Sequence, residues 1–227
     1  LNDTHPAIAG PELVRLLHDI HGIDFEESVD LAQATLNYTN HTLLPEALER
    51  WSEGLMGRLL PRHLQLIERI DDLHARRYPV RRVQVLQDGQ VKMGELSFIM
   101  ANRVNGVSRL HTDLMRKSVF ADLHALHPDR IVPQTNGVTP RRWLLSCNPR
   151  LSSLVTERIG MGWVDDLEQL SALESHAADP DFEAAWAEAK RANKADLAAW
   201  FADTQGVAVD PDAMFDVQIK RIHEYKR

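Results

Sequence analysis

Proline placement constrains this chain more than any other feature. A proline lacks a backbone N–H and has φ held near about −65°, so it is tolerated in the first turn of a helix and excluded from its interior. Of the 11 prolines, Pro140, Pro149 and Pro180 each follow a residue able to cap a helix: Thr139, Asn148 and Asp179. Pro11, Pro45 and Pro61 open three further helical stretches, and Pro79 ends the last of them at the latest.

The apolar periodicity agrees with these starts. Leu13, Leu16, Leu17 and Ile20 share one helical face, and Leu64, Ile67, Ile70 and Leu73 share another. Asp24-x-x-Glu27 is the acidic form of a capping box and predicts a helix to Thr35. Further helices are expected over residues 94–101 and 108–120. The helix opened by Pro180 carries Phe182, Trp186, Ala189, Asn193, Leu197 and Trp200 on one stripe, with Gly206 just past its end. Strand signals are shorter. Residues 36–39 read as a strand leading into the loop Asn40-His41-Thr42. Asp88-Gly89, between 83–86 and 91–93, predicts a hairpin, and residues 214–219 alternate as a strand does. Strands separated by helices predict an α/β architecture. A change in the style of helix signals suggests a boundary within 136–140.

Charge narrows the function. With 26 Lys and Arg against 33 Asp and Glu the formal net charge is −7, which argues against sequence-independent nucleic-acid binding. Eight acids and no Lys or Arg lie between Asp165 and Glu188, expected to form a solvated face that also supplies charge at helix N-termini. The last eight residues reverse this, with four Lys or Arg against Glu224. Following a predicted strand, they read either as a phosphate site beyond a strand's carboxyl end or as a solvated turn. Cys147 is the one cysteine, so no intrachain disulfide forms, as in a reducing cytosol. No apolar run approaches the roughly 18 residues of a membrane span. The chain starts without Met and stops soon after a strand signal, so it is expected to be a piece of a longer polypeptide.

Phosphate-loop, dinucleotide-fold and nucleophile-elbow motifs do not occur. His18-x-x-His21 and His124-x-x-His127 could each place two ligands on one helical face. Neither has a Cys partner or an H-E-x-x-H frame, so surface histidines are expected and no metal is assigned. Three matches to the N-glycosylation pattern, at Asn2, Asn37 and Asn40, come without a secretory signal and are taken as coincidences.

Six segments, in order and spanning essentially the whole chain, are informative together. They are Leu1-Asn-Asp-Thr-His-Pro6, Tyr38-Thr-Asn-His-Thr42 with Leu44-Pro-Glu-Ala-Leu-Glu-Arg-Trp51, Leu60-Pro-Arg-His-Leu64, Val104-Asn-Gly-Val107, Thr135-Asn-Gly-Val-Thr-Pro-Arg-Arg-Trp143, and Phe215-Asp-Val-Gln-Ile-Lys-Arg-Ile-His-Glu-Tyr-Lys-Arg227. In this combination the chain resembles the α-glucan (glycogen, starch and maltodextrin) phosphorylases. The resemblance implies part of a GT-B fold, two Rossmann-like domains with the active site in the cleft between them. Residues 1–136 would be the end of the N-terminal domain and 137–227 the start of the C-terminal, cofactor-side one.

It also implies a glycosyltransferase reaction. Inorganic phosphate releases the terminal α-1,4-linked glucose of a glucan as glucose 1-phosphate, with retention, using pyridoxal 5′-phosphate as cofactor. Carried over by motif, the side chain of His41 would hold the sugar at its 6-hydroxyl while its backbone carbonyl faces the anomeric centre. Asn136 would bind the same sugar, and Tyr225 the 2-hydroxyl side. Arg221 and Lys226 would bind the substrate phosphate. Asp3 and His5 would line the adjacent pocket, Lys220 would contact the cofactor phosphate, and Trp143 would lie beside the cofactor. The resemblance implies a cytoplasmic homodimer acting on glucan and phosphate, with no nucleic acid and no membrane partner. The family's Schiff-base lysine motif is absent from this sequence. The chain by itself is therefore expected to be inactive, or at most a carbohydrate- or phosphate-binding module, and to self-associate through apolar surface left uncovered.

Overall fold

A computed structural model describes residues 1–45, 48–79, 83–219 and 222. The chain divides into two compact units, Leu1–Gly137 and Val138–Arg227. It is helix-rich, mixed α/β, with one parallel and one antiparallel sheet among the described residues.

The first unit opens with α1 (Ala9–Arg15), which runs on into a π-helical turn, Leu16–Ile20. Next comes α2 (Phe25–Thr35), where the Asp24 carboxylate accepts from the backbone N–H groups of Glu26 and Glu27. Two N–H groups that would otherwise lack partners are thereby satisfied, as the capping signature requires. α4 (Pro61–Arg77) has proline at its start and buries Leu66, Ile67, Ile70 and Leu73. The face expected from Leu64, Ile67, Ile70 and Leu73 is therefore the packed one, with Leu64 at its margin.

Between α2 and α4 the sequence expectation fails. Residues 46 and 47 lie outside the described set, but the stretch from Pro45 does not continue as a helix. Arg50–Ser52 forms strand β2, and α3 (Glu53–Leu59) starts only after Ser52, whose hydroxyl accepts from Leu55 N–H at 3.2 Å. A cap inside the segment and a sheet partner in space outweigh the proline signal upstream.

That partner is the hairpin. β3 (Leu86–Gln87) and β4 (Gln90–Lys92) turn at Asp88 and Gly89, with φ of 54° and 71°. Two successive positive φ values are what a two-residue hairpin turn needs to match strand twist. β2 completes the antiparallel order β2-β4-β3, with Trp51 opposite Val91.

The parallel sheet has the order β1-β5-β6, from Tyr38–Asn40, Val104–Gly106 and Ile131–Pro133. β1 was expected and is displaced by one or two residues. β5, β6 and the short α7 (Ala121–Leu126) were not expected. α5 (Met93–Ile99) and α6 (Arg109–Lys117) occupy the predicted stretches. Tyr38, Val104 and Ile131 from the sheet, with Leu96, Phe98, Met115 and Phe120, belong to one continuous core.

Gly106 shows how tightly α6 closes on β5. A Cβ there would lie 2.9 Å from both the Met115 sulfur and the Thr112 Cα. Backbone on one side cannot yield, so Gly106→Ala is expected to cost about 1–3 kcal/mol as an overpacked site. A urea midpoint unchanged from wild type would contradict this packing.

In the second unit, Pro140 leads into a π-helical segment, Arg141–Ser146, but Thr139 makes no capping bond. The other two proline starts behave as expected. Asn148 caps α8 (Pro149–Ile159) at Leu151 N–H, and Asp179 caps α9 (Pro180–Gln205) at Asp181 and Phe182 N–H. Gly206 ends α9 with φ of 66°, the left-handed conformation of a helix C-terminus. Between them run two 3-10 segments, Gly162–Val164 and Leu167–His176, the second capped by Asp166. Asp166 and Asp179 thus put two members of the acidic stretch at helix N-termini. Of the predicted stripe on α9, only Phe182 is buried, and Trp200 is exposed.

Residues 214–219 do not form the expected strand. Met214, Val217 and Ile219 are exposed, and no strand occurs among the described residues of this unit to satisfy their backbone groups. His127 is a further correction. It is buried rather than a surface residue, facing His74 with Nε2 to Nε2 at 3.1 Å. No helix among the described residues is long and apolar enough to cross a membrane.

Candidate functional site

In parallel sheets the loops leaving the carboxyl ends of the strands collect ligand-binding groups. Here three predicted site residues lie at that edge or beside it. His41 follows β1 directly, Asn136 follows β6 by three residues, and Asp3 lies alongside β1. The segment holding Asp3 is an added partner of the strand. Asp3 N–H donates to Thr39 O at 2.9 Å, and Thr39 N–H donates to Leu1 O at 2.9 Å.

Asp3 has φ of 59°, unusual for a residue with a side chain, though Asp tolerates it better than most. That conformation places its carboxylate at the strand end, where Oδ1 accepts from His41 N–H at 3.0 Å. The His41 ring is exposed, and its Nε2 bonds to the side-chain oxygen of Asn2. Asn136 is exposed and anchored by its backbone N–H on Val107 O at 3.0 Å.

Below this edge lies a buried polar chain. Asn40, fully buried, donates through Nδ2 to the Tyr38 hydroxyl at 3.1 Å and accepts from His111 Nε2 at 2.9 Å. On the other face of the sheet Thr39 Oγ1 donates to Asn105 Oδ1 at 2.6 Å. Burial pushes the Tyr38 phenol up, so it stays protonated. Burial lowers the pKa of His111, opposed by its bond to Asn40, while nearby His41 lowers it further. His111 is fixed by the start of α6, where Ser108 Oγ accepts its backbone N–H at 3.1 Å.

His5 lies at the side of this group, 73% exposed, with Nδ1 3.4 Å from Glu49. Thr4 donates to the same carboxylate at 2.9 Å. The arrangement is a rim of hydrogen-bonding groups, the Asp3 and Glu49 carboxylates among them, over a floor of paired polar groups. Such a rim is suited to hydroxyl-bearing ligands.

Trp143, in the second unit, is 68% exposed. Lys220, Arg221, Tyr225 and Lys226 lie outside the described residues. Asn2, Asn40 and His111 were missed as site residues. Asn2 and Asn40 had a signal, each adjoining a nominated residue; His111 had none, since only the fold brings α6 to the end of β1. Among the described residues no three His, Cys, Asp or Glu side chains converge as a metal site.

The whole chain, residues 1–227, matches the carbohydrate phosphorylase family. It is 42% identical over 241 residues to "Alpha-glucan phosphorylase 2, cytosolic" of Arabidopsis thaliana. It is 45% identical over 239 residues to "Glycogen phosphorylase, brain form" of Bos taurus, and 43% over 244 to "Alpha-glucan phosphorylase, H isozyme" of Triticum aestivum. In each case all of this chain is covered, and it spans 28–29% of the relative's length. By this match over its full length, and with the resembling segments Leu1–Pro6 and Tyr38–Thr42 assembled at one sheet edge, the chain belongs to the carbohydrate phosphorylase family.

Proposed function

We propose that this chain forms part of the glucosyl-binding machinery of an α-glucan phosphorylase. The whole protein then releases glucose 1-phosphate from α-1,4-glucan ends by phosphorolysis with retention, on a GT-B fold. The observation that carries the reading is the 42–45% identity to glucan phosphorylases along the entire chain. The geometry supports it, because His41, Asp3 and Asn136 stand at the carboxyl edge of one parallel sheet, where a sugar could be held by several groups at once.

In this reading His41 holds the sugar through its ring and turns its backbone carbonyl to the anomeric centre. Glycosyl transfer passes through an oxocarbenium-like state, so an oriented carbonyl dipole is stabilising there. Asn136 contributes hydrogen bonds to the same sugar, and Asp3 and His5 line the neighbouring pocket. Tyr225, Arg221 and Lys226 complete the sugar and phosphate contacts. Two phosphates close together need dense positive charge, which residues 220–227 supply in sequence.

The cofactor assignment belongs to the same reading. Trp143 presents an uncovered indole face, which fits a flat pyridine ring, and Lys220 would meet the phosphate of that group. When bound, pyridoxal 5′-phosphate supplies a phosphate group for proton transfer. The chain lacks the family's Schiff-base lysine motif, so alone it is inactive and holds no covalent cofactor. The protein is a cytoplasmic homodimer, and the separated chain self-associates.

The test is to graft this chain in place of the matching segment of the brain-form relative. A folded, cofactor-loaded chimera should release glucose 1-phosphate from maltoheptaose and phosphate. His41→Ala in it should lower kcat/KM at least about 100-fold, the scale of losing a group aimed at transition-state charge. A folded, loaded chimera without phosphorolysis, or His41→Ala at full rate, overturns the proposal.

A further inference from the structure

We infer that Asn2 is the positioning residue that sets the tautomer of His41. It leaves His41 with an acceptor nitrogen and a free carbonyl facing the ligand. The inference rests on the reading of His41 as a sugar-binding residue and adds the polarity of its contact.

His41 has four polar groups: backbone N–H, backbone C=O, Nδ1 and Nε2. Two are engaged within the protein. The N–H donates to Asp3 Oδ1 at 3.0 Å, and Nε2 faces the Oδ1 of Asn2. An amide oxygen only accepts, so the nitrogen facing it must carry the proton. A neutral imidazole holds one N–H, and with that proton on Nε2, Nδ1 becomes an acceptor. Neither Nδ1 nor the carbonyl has a hydrogen-bond partner among the described residues. The two groups left open are both acceptors. A ligand group meeting Nδ1 must therefore donate, as a sugar hydroxyl does and an ether or carbonyl oxygen does not.

The support is built from outside the ring. Backbone bonds on both sides of Asn2 register it against β1: Asp3 N–H to Thr39 O and Thr39 N–H to Leu1 O, both 2.9 Å. The residue that orients His41 is thus held by the same strand that delivers His41. The strand end is anchored in turn by the Tyr38–Asn40–His111 chain, with Asn40 fully buried. Asn40 cannot turn without losing a bond at each end, which keeps the backbone beside His41 in one conformation.

The experiment is nitrogen-15 NMR of the His41 ring in the full chain, above the pH at which the ring is charged. Wild type should show Nε2 protonated and Nδ1 bare, in a single tautomer. Asn2→Ala removes the acceptor but keeps the backbone ladder. It should give a mixture of tautomers, with the amide shifts of β1 and β5 unchanged. Asn2→Asp keeps an acceptor oxygen and should restore the single Nε2-protonated tautomer. A wild-type ring protonated on Nδ1, or an Asn2→Ala ring that keeps the single Nε2-protonated tautomer, overturns the assignment. These readings are independent of turnover, so failure of the chimera assay and failure here remain distinct results.

Discussion

Trp163→Ala is expected to unfold the second unit while the first keeps its cooperative transition. Among the described residues of Val138–Arg227, the buried apolar side chains are Val155, Trp163 and Phe182, and Trp163 is fully buried. Its indole N–H donates to Thr156 Oγ1 at 3.2 Å, which ties the 3-10 segment to α8. Emptying such a site costs about 3–5 kcal/mol, comparable with the entire stability of a small domain. The ion pairs of the unit lie at or near its surface. Arg150 bonds to Asn193 and Asp196, Arg158 pairs with Asp179 at 3.4 Å, and Arg191 pairs with Asp212. Exposed pairs of this kind contribute roughly 0–1 kcal/mol each and cannot replace the core. Hydrogen exchange should show α8 and α9 losing protection while α4 and α5 keep theirs. Trp163→Phe retains most of the volume and should lose much less. Retained protection in α8 of the alanine variant would show that this core does not lie where Trp163 is.

Acid should weaken the first unit well above the pH at which its carboxylates protonate. His74 and His127 are 5% and 8% exposed and face each other at 3.1 Å. One ring must donate and the other accept, so the accepting ring must be neutral. His74 Nδ1 is buried without a hydrogen-bond partner, and Tyr78 packs edge-on against His127 with centroids 4.4 Å apart. Arg130 is the cation that acts on both rings. It lies over the Phe98 ring and, with Arg77 and Tyr78, lines the cavity beside His74. Burial, then Arg130, lowers both histidines to a pKa of about 4.

The sign of the pH dependence follows directly. The unfolded rings take up protons near pH 6.5, and the folded rings resist until about 4, so the unfolded state binds more protons in between. The full stability is present above about pH 7 and is lost as pH falls from 6.5 toward 4. One ring shifted this far corresponds to a loss on the order of 3 kcal/mol. The neighbouring rings titrate as a coupled pair, so the two losses do not simply add. Urea midpoints of the first unit should fall steeply between pH 7.5 and 4.5, and a His74→Leu/His127→Leu double variant should flatten that slope. A double variant with the wild-type slope would place the acid sensitivity elsewhere.

The parts of the fold legible in the sequence are those with short-range causes. Asp24, Asn148 and Asp179 cap helices because their side chains reach N–H groups two or three residues away. Asp88 and Gly89 turn because of their own φ values, and Gly206 ends α9 for the same reason. The site was partly legible for a different reason, since His41, Asp3 and Asn136 sit in segments that resemble a family. Nothing local marks Val104–Gly106 or Ile131–Pro133. Three residues are too few to show alternation, and a parallel partner is distant in the chain. Residues 214–219 have the alternation but, among the described residues of their unit, no strand to pair with.

The sequence alone determined the helix ends capped by Asp24, Asn148, Asp179 and Gly206, the Asp88-Gly89 hairpin and the family, because each is written within a few residues or in an ordered set of motifs. Tertiary structure alone decided which polar groups face one another. Asn2 meets His41 across 39 positions, His74 meets His127 across 53, and Asn40 meets His111 across 71. Hydrogen bonds act over about 3 Å of space, whatever the separation along the chain, so only the assembled sheet and its helices could bring these donors and acceptors together.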